Sequence, residues 1–113
     1  MADQHPWRDR IHLGAGIGRS DEPVVEEMLA RLLSRLSSWP PSAVELWLRV
    51  KNRDEPGMRT TLELQVPGLR RLVAGSDADV FAAAVRAVAD TMVEQLNEAS
   101  GRLAEHGTDT IRR

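Results

Sequence analysis

The sequence has 113 residues, no cysteine and a formal net charge of -2. That length suits one small domain able to bury a core without staples, and the missing thiols exclude both a disulfide framework and a thiolate metal site. The near-neutral balance excludes a protein that coats nucleic acid by bulk positive charge, so any RNA contact must come from a local patch.

No run approaches the roughly 20 apolar residues that cross a bilayer, and the first ten residues lack the apolar core of a signal peptide. The chain therefore reads as soluble and cytoplasmic, with no membrane partner. Lys51 is the one lysine among fifteen basic residues. Arginine's planar fork suits phosphate, although GC-rich coding gives the same bias.

Residues 1–10 are polar, carry His5-Pro6 and show no periodicity, so they read as a flexible lead-in. Ile11, Leu13, Ala15 and Ile17 alternate with polar residues and glycines, which predicts a first strand over Ile11 to Gly18, with the glycines marking a bend. Ser20-Asp21-Glu22-Pro23 has the composition of a helix start: a capping side chain, acids where the helix dipole is positive, and a proline tolerated in the first turn. Val25, Met28, Leu29, Leu32 and Leu36 then repeat on one stripe, and Trp39-Pro40-Pro41 ends the helix.

From Ala43 to Lys51 the alternation is clean, with Val44, Leu46, Leu48 and Val50 inward and Glu45, Trp47, Arg49 and Lys51 outward. Met58 to Val66 repeats it, with Thr60, Leu62, Leu64 and Val66 inward. Pro67-Gly68 suits the two central positions of a type II turn. A fourth strand follows over Leu69 to Ala74, and Ser76 with Asp79 predicts a capped start to a second helix reaching about Leu103. Residues 105–113 read as a flexible tail. The sum is a single domain over 11–104 in the α+β class: a two-layer β-α-β-β-β-α unit, its four-stranded sheet covered on one face by two helices, as in a double-stranded RNA-binding domain.

Few constellations carry chemistry. Gly14-Ala15-Gly16-Ile17-Gly18 is G-x-G-x-G rather than the dinucleotide fingerprint, and hairpins follow it instead of a parallel crossover, so it reads as a bend. His5, His12 and His106 stand apart from one another and from acids at ligand spacing, so no metal site is expected. The acids of both helix starts fit dipole complementation. No nucleophile, base and acid come together, which predicts no catalysis and no cofactor.

The remaining candidates are basic. Arg49, Lys51, Arg59 and Arg71 share the outward sheet face with Trp47, and Arg53 lies in the adjoining loop. Guanidinium groups beside an exposed aromatic form a platform for single-stranded RNA, where rings stack on bases and cations meet phosphates. The alternative is an ordinary charged face whose tryptophan a partner covers. A second patch holds Arg31, Arg35, Arg86 and Arg102 on the two helices, diluted by Glu26, Glu27, Asp90 and Glu94.

Three segments, ARLLSRLSSW (Ala30 to Trp39), VPG (Val66 to Gly68) and LVAGSDADVFAAAV (Leu72 to Val85), together with Glu94-Gln95-Leu96, follow one another in an order that resembles the ribosome hibernation promoting factor family, which includes ribosome-associated inhibitor A. The resemblance spans about Ile11 to Leu103 and fits a short, single-domain form. It implies a non-enzymatic translation inhibitor that occupies the decoding region of the small ribosomal subunit, contacts its RNA and keeps ribosomes idle under stress. Arg35 falls where the family's first helix carries a lysine. Leu32, Ser38, Thr91 and Glu94 stand where basic residues are common in the family. The alternative function is a protein-interaction module on the same fold, with Trp47 anchoring a homodimer.

Overall fold

The computed structural model describes the backbone of residues 10–112 and the side chains of residues 10–101. The expected lead-in before residue 10, His5, and the side chains of Arg102, Leu103 and His106 lie outside the described residues. The elements are β1 (Ile11–Leu13), α1 (Glu22–Arg35), β2 (Glu45–Lys51), β3 (Arg59–Gln65), β4 (Leu72–Ser76) and α2 (Phe81–Arg112). Single 3-10 turns flank α1 at Arg19–Asp21 and Leu36–Ser38, and a third, Pro41–Ala43, leads into β2. No described helix is long and apolar enough to cross a membrane.

The strands form one sheet in the order β1-β2-β3-β4. β1 runs parallel to β2, with Ile11 opposite Leu46, whereas β2-β3 and β3-β4 are antiparallel. The class is α+β, as the order of sequence patterns predicts. Alternation in β2 and β3 decides which side is covered: Val44, Leu46, Leu48, Val50, Thr60, Leu62, Leu64 and Val66 are all buried. Against them lie Val25, Leu29, Leu32, Leu33 and Leu36 from the first helical segment and Phe81, Val85, Val88, Met92 and Leu96 from α2. Burying one such aliphatic side chain contributes roughly 1.5–3 kcal/mol, so this shared layer is the main source of stability. α2 lies over β3 and β4 and beside α1.

The boundaries of β1, β4 and α2 differ from the sequence-based expectation, each for a local reason. The first strand stops at Leu13 rather than Gly18. The chain still runs along β2, because Gly14 donates its N–H to Leu48 O (2.8 Å) and Ala15 O accepts from Val50 N–H (2.9 Å). Gly16 then takes φ 83°, where a Cβ would stand 2.4 Å from Val50 O, so the approach requires glycine there. The glycine-rich segment is a bend packed on a strand.

The Pro67-Gly68 turn forms as expected, with Gly68 at φ 87° and Leu69 donating to Val66 O. β4 begins only at Leu72, however, and continues to Ser76, so Ser76 belongs to the strand and α2 starts five residues later. The Ser76 hydroxyl accepts from Ala78 N–H (3.1 Å), bracing the turn rather than capping the helix. At its far end α2 continues past Leu103 to Arg112. Ala104 and Glu105 are good helix formers, and no proline follows to stop it.

Thr60 is fully buried, and among the described residues its hydroxyl has no hydrogen-bond partner. A buried hydroxyl without a partner costs its desolvation and returns nothing. Thr60→Val, which keeps the shape and the β-branch, is expected to raise stability by about 1 kcal/mol in urea or thermal unfolding; a destabilised variant would mean that the hydroxyl is hydrogen-bonded.

Candidate nucleic-acid interface

Because both helices sit on one side, the outward residues of β2, β3 and β4 form an open face. Register fixes its neighbours: His12, Trp47, Glu63 and Val73 stand in one row across the four strands, and Arg49, Thr61 and Gly75 in the next. Arg49, Lys51, Arg59 and Arg71 do share this face with Trp47. Most of those cations already hold an acid. Arg49 reaches Glu63 at 2.7 Å, and Arg71 reaches the other oxygen of the same carboxylate at 3.2 Å. Arg59 pairs with Asp77 at 2.7 Å, its guanidinium lying over Gly75 where a Cβ would stand 2.4 Å away. The hydrogen bond from Arg49, aided by the charge of Arg71, holds the Glu63 carboxyl below its usual range against the opposing effect of burial.

Trp47 is half-buried by neighbours that sequence patterns could not place. The His12 ring stacks with it at 5.7 Å between centroids and 23° between planes, and the Arg71 guanidinium lies 4.6 Å from its ring centroid. His12 also meets Glu45 (3.1 Å), which Arg10 reaches at 3.0 Å. Arg10 further donates to Val44 O and Ser42 O, tying the start of β1 to the approach to β2. Sequence patterns place neither His12 nor Arg10 beside this face, because both are brought there by the parallel pairing of β1 with β2, whose partners His12 and Trp47 stand 35 residues apart.

Arg53 stands apart from the open face. It makes a forked contact with Asp21, at 2.7 and 2.9 Å, and donates to Gly16 O at 2.9 Å. Its guanidinium also lies 4.0 Å from the centre of the Phe81 ring. One side chain therefore ties the bend after β1, the turn before α1 and the first residue of α2. Asp21 also accepts from Gly18 N–H (2.8 Å), so the carboxylate expected near the helix start serves this junction and not a side-chain cap on α1. The Arg53 hydrogen bonds, then that of Gly18, bring the Asp21 pKa from 3.8 to about 2, and Asp21 raises that of Arg53.

The helix side is arranged differently. α1 and α2 bound a cleft of about 350 Å³ lined by Glu27, Met28, Ala30, Arg31, Arg86 and Asp90. Arg31 meets Asp90 only at 3.6 Å and is 74% exposed, so that pair is loose. Arg35 is hydrogen-bonded to the neutral Asn97 side chain. Among the described residues neither Arg86 nor, on the sheet side, Lys51 and Arg70 has an ion-pair partner. Arg31 and Arg86 thus share this cleft, Arg35 stands further along the seam of the two helices at Asn97, and the three are less tightly paired with acids than the sheet arginines.

No protein-family model matches the sequence, and no curated protein matches it. Solved structures do. The Thermus thermophilus Protein Y N-terminal domain superimposes with a TM-score of 0.60 at 16% identity, over 78% of this chain and 93% of that one. A ribosomal subunit interface protein from Coxiella burnetii gives 0.57 at 12% identity, over 80% and 97%. At these identities the likeness establishes a shared fold, an α+β unit with a mixed four-stranded sheet and two helices.

The Arg53–Asp21 junction has a pH signature. Because the folded pKa of Asp21 lies below its ordinary value of 3.8, the stabilisation is complete above about pH 4 and is lost as pH falls towards 2. Asp21→Asn should cost about 1–2 kcal/mol at neutral pH, for a partly exposed, charge-assisted pair. Its unfolding free energy should also fall less steeply than that of the native chain between about pH 4 and 2; equal slopes in acid urea titrations would show that the pair contributes nothing.

Proposed function

We propose that this chain is a ribosome-associated factor of the hibernation type, which binds the small ribosomal subunit through its RNA and restrains translation without catalysis. The observation that carries the reading is the fold itself, shared over most of the chain with a protein Y domain and with a protein named for the ribosomal subunit interface. The resemblance of ARLLSRLSSW and LVAGSDADVFAAAV to the hibernation factors supports it from the sequence side.

Within that reading, the groove between α1 and α2 is the first choice for phosphate contact. Backbone phosphates bind cations by displacing counterions, and a guanidinium already held by a carboxylate must give up that partner first. Arg35 has a neutral partner, Arg31 a distant acid and Arg86 none among the described residues, so these three meet phosphate at low cost. Arg49, Arg59 and Arg71 would have to leave Glu63 and Asp77, which favours a secondary role for the sheet face. Trp47 likewise would have to part from His12 or Arg71 before a base could stack on that surface. Lys51, at the end of β2, is the sheet cation most available.

Co-sedimentation of the purified chain with ribosomes at two salt concentrations tests the proposal, with binding expected at low salt and falling steeply as salt rises. Arg31→Ala with Arg35→Ala should weaken binding and reduce the salt slope by about 2, close to one unit per lost phosphate contact. An unchanged slope would move the contact to the sheet, and a native chain that stays in the supernatant at low salt would overturn the proposal.

A further inference from the structure

We propose that the outer edge of β4 pairs with the same edge of a second copy, joining two sheets into one of eight strands. The edge is open. Gly14 N–H and Val50 N–H in the β1-β2 ladder show that Leu48 and Val50 direct their backbone groups towards β1, so Trp47 and Arg49 bond to β3. Carried across the antiparallel ladder, this alternation directs Leu72, Ala74 and Ser76 towards β3, and Val73 and Gly75 outward. Gln95 of α2 confirms the parity by donating its side-chain amide to Val73 O at 3.0 Å from beyond the sheet.

Edges that avoid pairing carry a charge, a proline or a bulge, and β4 has none of these from Leu72 to Ser76. Gln95 shields one carbonyl. Of the two large apolar side chains left exposed among the described residues, Val73 (51%) and Val80 (59%), Val73 lies on this strand. The flank of α2 that carries Gln95 also presents Thr91 and Ala87 four and eight residues before it, and all three are half-buried.

Self-complementarity identifies the occupant. An antiparallel pair centred on Ala74 sets Val73 against Gly75 of the second copy, both with outward backbone groups, and Leu72 against Ser76. It also sets Arg71 against Asp77, twice by symmetry. Shifting the centre to Val73 leaves Asp77 opposite Leu69, and shifting it to Gly75 puts Val73 opposite Asp77. The register that uses the whole strand is therefore the one that matches the charges. Ala74 at the axis is small and faces the core side, where two backbones approach closely.

The test is sedimentation equilibrium of the full chain from about 1 μM to about 1 mM, the range of weak to moderate association. A monomer–dimer equilibrium is expected for the native chain. Arg71→Asp and Asp77→Arg should each self-associate about tenfold more weakly, since two attractive pairs become repulsive. An equimolar mixture of the two should recover dimer, because each pair is again complementary. Val73→Pro, which removes only an outward N–H, should abolish the dimer with its circular dichroism retained, and keeps the test decisive if Arg71→Asp fails to fold. A native chain that stays monomeric throughout, a mixture that does not recover, or a dimer indifferent to Val73→Pro would overturn the pairing.

Discussion

Burial of the sheet on one side only is the constraint from which the rest of the structure follows. α1 and α2 both cover the same face, so the alternating residues of β2 and β3 divide into an apolar set held in the core and a polar set held in water. A polar face of closely spaced arginines would repel itself. Here Glu63 lies between Arg49 and Arg71 and Asp77 lies beside Arg59, and the face is neutralised pair by pair. Exposed pairs of this kind contribute little to stability, but they decide which guanidinium groups remain available to a phosphate.

The same one-sided arrangement explains where the cations with weak partners are found. α1 and α2 meet each other along a seam whose outer rim is solvated, and Arg31, Arg35 and Arg86 project from that rim with one distant acid and one neutral amide between them. Neither helix is strongly basic in sequence. The cations come together through the facing of particular turns, while Glu27 and Asp90 balance Arg31 and Arg86 at the cleft wall. A cleft of such balanced charge is in keeping with the net charge of -2.

Arg53 shows how a residue of RNA-binding type can be absorbed by the fold. Its place after β2 suggested a cation beside the open face. The chain instead turns through Asn52 and Asp54, both at positive φ, and Arg53 is directed towards Asp21, Gly16 O and the Phe81 ring. Three segments distant in sequence meet there, and the side chain is only 27% exposed. Gly16 belongs to the same junction, since its approach to Val50 O brings the bend within reach. Local composition registers such a residue as a charge in a loop; its role appears only when the partners are in place.

What the sequence determined by itself was the set of elements and the face each strand buries, because periods of two and three to four residues are local properties that survive any packing. The order β-α-β-β-β-α, the Pro67-Gly68 turn, the bend at the glycines and the inward sets from Val44 to Val66 were all legible on that basis. Element ends were less so: Gly16 required its approach to Val50 before the end of β1 had a cause, and Ser76 could serve a strand as well as a cap. Only the tertiary structure decided which charges cancel. That depended on the strand register placing Glu63 within reach of two arginines, on the parallel pairing that brought His12 to Trp47, and on the facing of α1 and α2 that left Arg35 with an amide. Coulomb interactions fall off with distances that no sequence spacing contains, so the fold was readable from the residues one by one, whereas the candidate site was readable only from their neighbours.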